Sequence, residues 1–279
     1  MSTPALALVA APVFGIAVGS FTNVIIDRIP VALDEPNEFG ELWDTRPWGE
    51  VLGGTSRCST CATPIRPSDN IPVLSYLALR GKCRGCGERI PAFHPFVELL
   101  VPLLALLAVW RIGVHPELIA VLWFIPAGVA ISVIDFNTLI VPTRLVWPTF
   151  AVSVAVTVGI SAYRGDWSPL IGSCVGVGVL AGPLFVIWWF HPRGMGMGDV
   201  RLAVLIGWNV GFAAMLAVDR PMAAVMLTII MLVVSSVLGI VVGLALQVGL
   251  GRQLPFGPAL VGGALVCMLL AEPILRPFF

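Results

Sequence analysis

Charge is what this sequence has least of. Only 11% of its 279 residues are Asp, Glu, Lys or Arg, whereas 58% are hydrophobic and the mean hydropathy is +0.96. A soluble domain carries about 25% charged residues, so the composition excludes that class and predicts an all-α protein that crosses the membrane several times. The 16 basic and 16 acidic residues cancel. We therefore expect the lipid bilayer, and no nucleic acid, as a partner.

Eight stretches are apolar and long enough to cross the membrane as helices, which takes about 20 residues for ~30 Å of hydrocarbon. They are residues 5–26, 95–110, 118–134, 145–162, 170–190, 202–218, 222–247 and 256–270. The second, third and sixth stretches are short, so seven spans with one merged or re-entrant segment is the alternative. No basic segment precedes the first stretch, which argues against a cleaved signal peptide.

The basic residues lie unevenly between the predicted loops. Loops on one side hold 12 Lys and Arg residues, and those on the other side hold four, namely Arg111, Arg164, Arg220 and Arg276. Basic loops stay in the cytoplasm, so the large polar insert is predicted there and both termini outside. The chain then divides into a first transmembrane helix (residues 1–26), a cytoplasmic insert (27–94) and a seven-helix membrane bundle (95–279).

Four cysteines of the insert form two Cys-x-x-Cys pairs, Cys58 with Cys61 and Cys83 with Cys86, separated by 21 residues. This spacing is typical of a zinc-ribbon-like structural site in which four thiolates surround one Zn²⁺ ion. A metal would also stabilise a region with few large apolar residues. Two disulfides or four free thiols are the alternatives, and a cytoplasmic location argues against the disulfides.

Three acids lie at predicted helix ends on the cytoplasmic side, namely Glu98, Asp135 and Asp199. A carboxylate in hydrocarbon costs several kcal/mol, so each of them needs a function or a partner. Gly194, Gly196 and Gly198 precede Asp199 at alternate positions, which allows positive φ and close approach of another chain. Two carboxylates that share a water molecule would form an aspartic protease dyad, whereas proton transport and helix capping are alternative roles for acids at a membrane boundary.

In their order along the chain, these motifs resemble those of the prepilin peptidases, the type IV leader peptidases of the GxGD class of membrane aspartic proteases. The similar segments are residues 15–30 (GIAVGSFTNVIIDRIP), 56–61 (SRCSTC), 69–76 (DNIPVLSY), 80–86 (RGKCRGC), 94–98 (HPFVE), 134–135 (ID) and 196–202 (GMGDVRL). Together they run through most of the chain.

The resemblance implies an enzyme of the bacterial inner membrane that cleaves the leader peptide from type IV prepilins or type II secretion pseudopilins at the cytoplasmic face. Asp135 and Asp199 would be its catalytic pair, and the glycines before Asp199 would give the substrate backbone access. Many family members also methylate the new N-terminus. S-adenosylmethionine is therefore a second candidate cofactor beside zinc, and Glu98 is associated with the methylation region or with holding the insert.

The chain departs from the family's pattern at several positions. Thr143 replaces a third acid, which we interpret as non-catalytic because Asp135 is retained, and Arg201 replaces a lysine. Ser59 replaces a proline, His94 replaces a tyrosine, and Ser68 stands where an aromatic residue is common. These last three lie in the methylation-associated region, so the resemblance implies methyl transfer less strongly than it implies hydrolysis.

Two other functions fit the composition. One is a proton-coupled transporter, whose acids would lie near the bilayer midplane within repeated halves, and the sequence has no convincing repeat. The other is a non-catalytic zinc-binding membrane scaffold, for which Asp135 and Asp199 would be dispensable.

Overall fold

The computed structural model describes residues 3–29, 47–191, 196–245 and 255–279. Within these ranges the chain is helical and contains no strand, only two isolated β-bridges. The α-helices are α1 (Thr3–Arg28), α2 (Trp48–Leu52), α3 (Leu74–Ala78), α4 (Phe93–Ile112), α5 (Leu118–Thr138), α6 (Thr143–Arg164), α7 (Ser168–Phe190), α8 (Met197–Ala217), α9 (Pro221–Ala245), α10 (Gly257–Leu269) and α11 (Ala271–Leu275). Short 3-10 helices cover Pro67–Asn70 and Arg276–Phe278.

Seven of these helices, α1 and α4 to α9, are long and apolar enough to cross a membrane. They correspond to the first seven predicted stretches, so the all-α polytopic fold is confirmed. The sixth span starts earlier than predicted, because α8 begins at Met197 and therefore contains Asp199. The last two residues of the predicted span 222–247 lie outside the described residues.

The eighth predicted span, residues 256–270, is not one continuous helix. α10 has 13 residues, about 20 Å at 1.5 Å per residue, and the segment after it is bent by 81°. Pro273 explains the break, because its ring would clash with the carbonyl of Leu269 if α10 continued. Among the described residues, seven helices are thus long enough to be continuous spans, or eight spans are present if the bent pair crosses the membrane as one.

The chain divides into two compact units, Met1–Leu107 and Ala108–Phe279. In the first unit, α1 and α4 are joined by polar contacts at the ends nearest the insert. The buried side chain of Asn23 donates to the carbonyl of His94 at 3.0 Å, and His94 Nε2 lies 3.0 Å from the carboxylate of Asp27. Arg28, the last residue of α1, donates to the carbonyl of Val51 at 3.1 Å. The division at residues 26 and 94 stays a prediction.

In the second unit, α7 and α8 lie so close that only glycine fits between them. Gly172 and Gly176 of α7 face Gly207 and Gly211 of α8, which gives each helix a Gly-x-x-x-Gly spacing. A Cβ atom at Gly207 would lie 2.6 Å from the carbonyl oxygen of Gly176. Such contact between backbones is how helices associate in lipid, where no hydrophobic effect drives them together.

Buried hydrogen bonds connect α8 to α6. Trp208 Nε1 donates to the hydroxyl of Thr157 at 3.0 Å, and the amide of Asn209 donates to the hydroxyl of Ser153 at 3.2 Å. All four residues are buried. Interhelical hydrogen bonds of this kind fix the rotation of a membrane helix about its axis, which in α8 sets the direction of the residues near its start.

We predict that Gly176→Ala destabilises the protein by about 1–3 kcal/mol, because the added Cβ would lie 3.0 Å from the carbonyl carbon of Gly207. Gly178→Ala is the matched control, since no atom lies within 4 Å of a Cβ at that position, and alanine favours the helix by up to about 1 kcal/mol. Thermal unfolding of both variants in detergent, followed by tryptophan fluorescence, measures the difference. Equal melting temperatures would contradict the close packing.

Candidate functional site

Asp135 lies in the last turn of α5. The helix ends at Thr138, and Leu139 adopts a left-handed conformation (φ 57°) from which its N–H donates to the carbonyl of Asp135 at 2.8 Å. Only 4% of Asp135 is exposed. The carboxylate is therefore held inside the protein at the end of a membrane span.

Asp199 lies in the first turn of α8, where Gly196 is the N-cap residue. Its side chain is half-buried, and a helix N-terminus favours a negative charge. Because α5, α6, α7 and α8 follow one another as spans in alternating directions, the end of α5 and the start of α8 lie at the same face of the membrane. Gly198, directly before Asp199, packs against Val141, just beyond the end of α5, which brings the two segments that carry the aspartates together.

Gly257 is a site residue that the sequence analysis missed. Its backbone N–H donates to Oδ2 of Asp135 at 2.9 Å in a buried hydrogen bond. A Cβ atom at this position would lie 2.6 Å from the same oxygen and 3.1 Å from the carboxylate carbon. The signal in the sequence is a glycine directly before Pro258, at the start of an apolar run, but nothing local connects it to a residue 122 positions earlier.

The glycines before Asp199 have different surroundings. Gly194 lies outside the described residues. Gly196 is exposed, and a Cβ there would lie 3.8 Å from Oδ2 of Asp199. Gly198 packs against Val141, whose Cβ atom would be 2.9 Å from an added Cβ. Neither described glycine has positive φ, so the left-handed backbone that glycine allows is not used at Gly196 or Gly198.

Two of the positions at which the chain departs from the family's pattern contact each other. Arg201 donates to the hydroxyl of Thr143 at 2.5 Å, which links the second turn of α8 to the first residue of α6. The hydrogen bond ties the start of α8, which carries Asp199, to the start of α6.

The four cysteines of the insert lie together. All four Sγ atoms are within 4.8 Å of one another, and those of Cys58 and Cys86 are 3.9 Å apart. The two pairs have the same pattern of backbone hydrogen bonds. Cys58 N donates to Thr63 O at 3.1 Å, and Cys83 N donates to Glu88 O at 2.8 Å. The residue after each pair, Ala62 or Gly87, has positive φ. Two equivalent turns thus present four sulfur atoms to one point.

These distances fit a metal ion. Zn–S bonds of about 2.3 Å in a tetrahedron place sulfur atoms about 3.8 Å apart, and the observed separations require adjustments of an ångström or less. Arg84 lies between the cysteines of the second pair and donates two hydrogen bonds, at 2.7 and 2.8 Å, to the carboxylate of Asp69. The cysteine cluster is therefore attached to the Pro67–Asn70 turn as well as to its own two turns.

Glu98 of α4 contacts the insert. Its Oε2 atom accepts a hydrogen bond of 2.7 Å from the backbone N–H of Val73, which has φ 62°. A β-branched residue is rarely found in this conformation, and it persists only where the surroundings hold it. The carboxylate thus contacts the peptide just before α3, and the two roles expected for Glu98 stay predictions.

Comparisons with known proteins agree with the motifs. The family model of the bacterial peptidase A24 N-terminal domain matches residues 13–112, and the family model of the type IV leader peptidases matches residues 118–244. The chain is similar to proteins named prepilin leader peptidase/N-methyltransferase in several bacteria. That of Pseudomonas putida is 32% identical over 293 residues, which is 97% of this chain and 93% of that protein.

Two further relatives carry the same name. The protein of Stutzerimonas stutzeri is 32% identical over 98% of this chain and 94% of its own length, and that of Neisseria gonorrhoeae is 29% identical over 90% and 86%. No solved structure matches the chain. The similarity therefore covers both the insert with its four cysteines and the bundle with the two aspartates.

Proposed function

This chain belongs to the type IV leader peptidase family, and we propose that it cleaves the leader peptide from type IV prepilins or type II secretion pseudopilins at the cytoplasmic face of the bacterial inner membrane. The observation that carries this proposal is the close packing of Gly198, directly before Asp199, against Val141, just beyond the end of the helix that carries Asp135. The names of the relatives support the substrate class. The concentration of basic residues in the loops on this side supports the cytoplasmic location.

Asp135 and Asp199 would work as a general acid and a general base. One carboxylate takes a proton from water as the water attacks the scissile carbonyl, and the other gives a proton to the leaving amine. No covalent intermediate forms. The two roles belong to the pair, since neighbouring carboxylates titrate together. The N–H of Gly257 holds one oxygen of Asp135, which leaves the other for water and substrate.

The two described glycines of the GxGD segment would serve the site in different ways. Gly196 leaves the approach to Asp199 open, because any side chain there would begin 3.8 Å from Oδ2. An extended substrate backbone needs that space. Gly198 instead allows α8 to lie against Val141, which positions Asp199 relative to the end of α5.

The relatives' names include an N-methyltransferase activity, and methylation of the newly formed N-terminus is the second activity that we propose. S-adenosylmethionine would supply the methyl group. The pocket described on the insert is lined by three basic side chains, which would repel its positively charged sulfonium, so this pocket does not fit the methyl donor. Glu98 has a role in holding the insert, and we assign no residue to the methyl transfer step.

For the cysteine cluster we propose a structural Zn²⁺ ion bound by Cys58, Cys61, Cys83 and Cys86. The sulfur separations support this assignment, and so does the scarcity of buried large side chains in the insert, where Val51 is the buried one among residues 47–92. A bound metal would replace the missing hydrophobic core as the source of stability.

We predict that Asp135→Asn and Asp199→Asn each reduce cleavage about 10²–10⁴-fold, the usual contribution of a general acid or base. The assay is co-expression with a prepilin that carries its leader, with cleavage measured by mass. Asp219→Asn, an exposed aspartate at the opposite end of the bundle, should cleave normally. Cleavage that survives in either of the first two variants would favour a non-catalytic scaffold. The same spectra show whether the product gains a methyl group.

Gly257→Ala should lower kcat about 10²-fold with little change in KM, because the Cβ would displace the carboxylate of Asp135 and misplace a reacting group. Gly239→Ala is the control, since the nearest atom to a Cβ there is at 3.6 Å, an ordinary contact. Cleavage kinetics of both purified variants in the same detergent give the comparison. If Gly257→Ala keeps the wild-type kcat, the hydrogen bond to Asp135 has no positioning role.

Metal analysis of the purified protein should find one zinc ion per chain. Cys58→Ser and Cys83→Ser should each lose the metal, because three thiolates leave the tetrahedral site incomplete. Cys174→Ser, on the exposed face of α7, should retain it. Zinc-free wild type purified without chelator would refute the assignment, and cleavage in the Cys58→Ser variant would separate the metal from the peptidase activity.

A further inference from the structure

The insert exposes large aliphatic side chains close together. Ile71 is 47% exposed, and Leu74 and Leu77 of α3 are each 64% exposed. Single apolar residues are common on water-facing surfaces, but three within seven residues form a patch. These residues lie outside the membrane spans, so the lipid that covers the long helices does not by itself account for them.

A basic pocket lies next to this patch. Its volume is about 320 Å³, and its lining consists of Tyr76, Arg80, Gly81, Lys82, Arg89 and Ile90. It therefore contains three cations and no acid. In the parts of the chain that the structure describes, none of the three cations forms an ion pair, whereas Arg84 nearby is paired with Asp69.

The backbone holds these cations around the pocket. Arg80 and Gly81 both have positive φ, and Gly81 N donates to the carbonyl of Tyr76 at 2.8 Å. A Cβ at Gly81 would lie 3.0 Å from the hydroxyl oxygen of Tyr76, so the ring lies directly over the glycine. Lys82 and Arg89 face each other in an antiparallel β-bridge. The pocket is thus part of a hydrogen-bonded turn, beside the second pair of cysteines.

We propose that this surface docks the insert onto the bilayer, with the headgroup of an anionic phospholipid in the basic pocket and the side chains of Ile71, Leu74 and Leu77 in the membrane interface. The insert is tethered to the membrane at both ends, by α1 and by α4, so a bilayer surface is always within reach. Basic residues beside aliphatic ones are typical of surfaces that lie in the interface of an anionic membrane.

The combination of the two features selects this occupant. Basic residues on the cytoplasmic side follow from the way membrane proteins insert, but that rule gives no reason for exposed leucines. A soluble anion would neutralise the three cations and leave the leucines in water. An anionic bilayer satisfies both at once, and this proposal does not depend on the peptidase activity.

Hydrogen exchange tests the proposal on the full chain in nanodiscs, made of phosphatidylcholine alone or mixed with phosphatidylglycerol. We expect the amides of residues 71–90 to exchange more slowly in the anionic nanodiscs, and high salt to abolish the difference. Each cation near an anionic surface contributes about fivefold in binding. Equal exchange in both lipids would overturn the proposal.

Variants identify the residues responsible. Lys82→Gln with Arg89→Gln should reduce the protection about 25-fold at most, as expected for two cations. Arg57→Gln with Arg66→Gln removes the same charge from exposed positions around the first cysteine pair and should keep the protection. Leu74→Ser with Leu77→Ser should lose it although no charge changes. If the two double variants that remove charge lose protection equally, the pocket is not specific. Inorganic phosphate that protects the same amides in neutral nanodiscs as strongly as the anionic lipid does would also contradict the proposal.

Discussion

An ionised group in hydrocarbon costs several kcal/mol, and this constraint decides where the charges of the protein lie. On the face opposite the candidate site, buried Glu117 before α5 is paired with Arg164 at the end of α6. Asp135 is held differently, since its carboxylate accepts a hydrogen bond from the backbone N–H of Gly257. The proposed catalytic role of Asp135 and Asp199 gives a reason for two acids at this boundary.

A backbone N–H holds the carboxylate of Asp135, whereas a basic side chain, Arg164, holds that of Glu117. The first N–H groups of a helix have no partner within it, so Gly257 can donate to Asp135 without weakening α10. Glycine is required because the carboxylate lies where a Cβ would be. A guanidinium at the same distance would strongly favour the ionised carboxylate, whereas a neutral N–H positions the oxygen and is compatible with the acid–base role proposed for the pair.

Scarcity of charge explains how much the sequence could predict. Asp135, Asp199 and the cysteine pairs stand out because residues of their kinds are rare in such surroundings, and the long apolar runs predict seven of the spans. Gly257 and Val73 could not be found in this way. Each acts through one backbone N–H and meets a carboxylate 122 or 25 residues away. The break after α10 was missed for a related reason, since apolar composition continues past Leu269 while Pro273 ends the helix.

In the described part of the insert, residues 47–92, restraints take the place of a hydrophobic core. Arg28 at the end of α1 binds backbone carbonyls around Val51, and Glu98 of α4 binds the N–H of Val73. The cysteine cluster then joins the two equivalent turns at Ala62 and Gly87. Because two of these three restraints come from membrane helices, the fold of the insert is coupled to the packing of α1 and α4. A disturbance of either helix should therefore loosen the cysteine turns before it reaches the bundle.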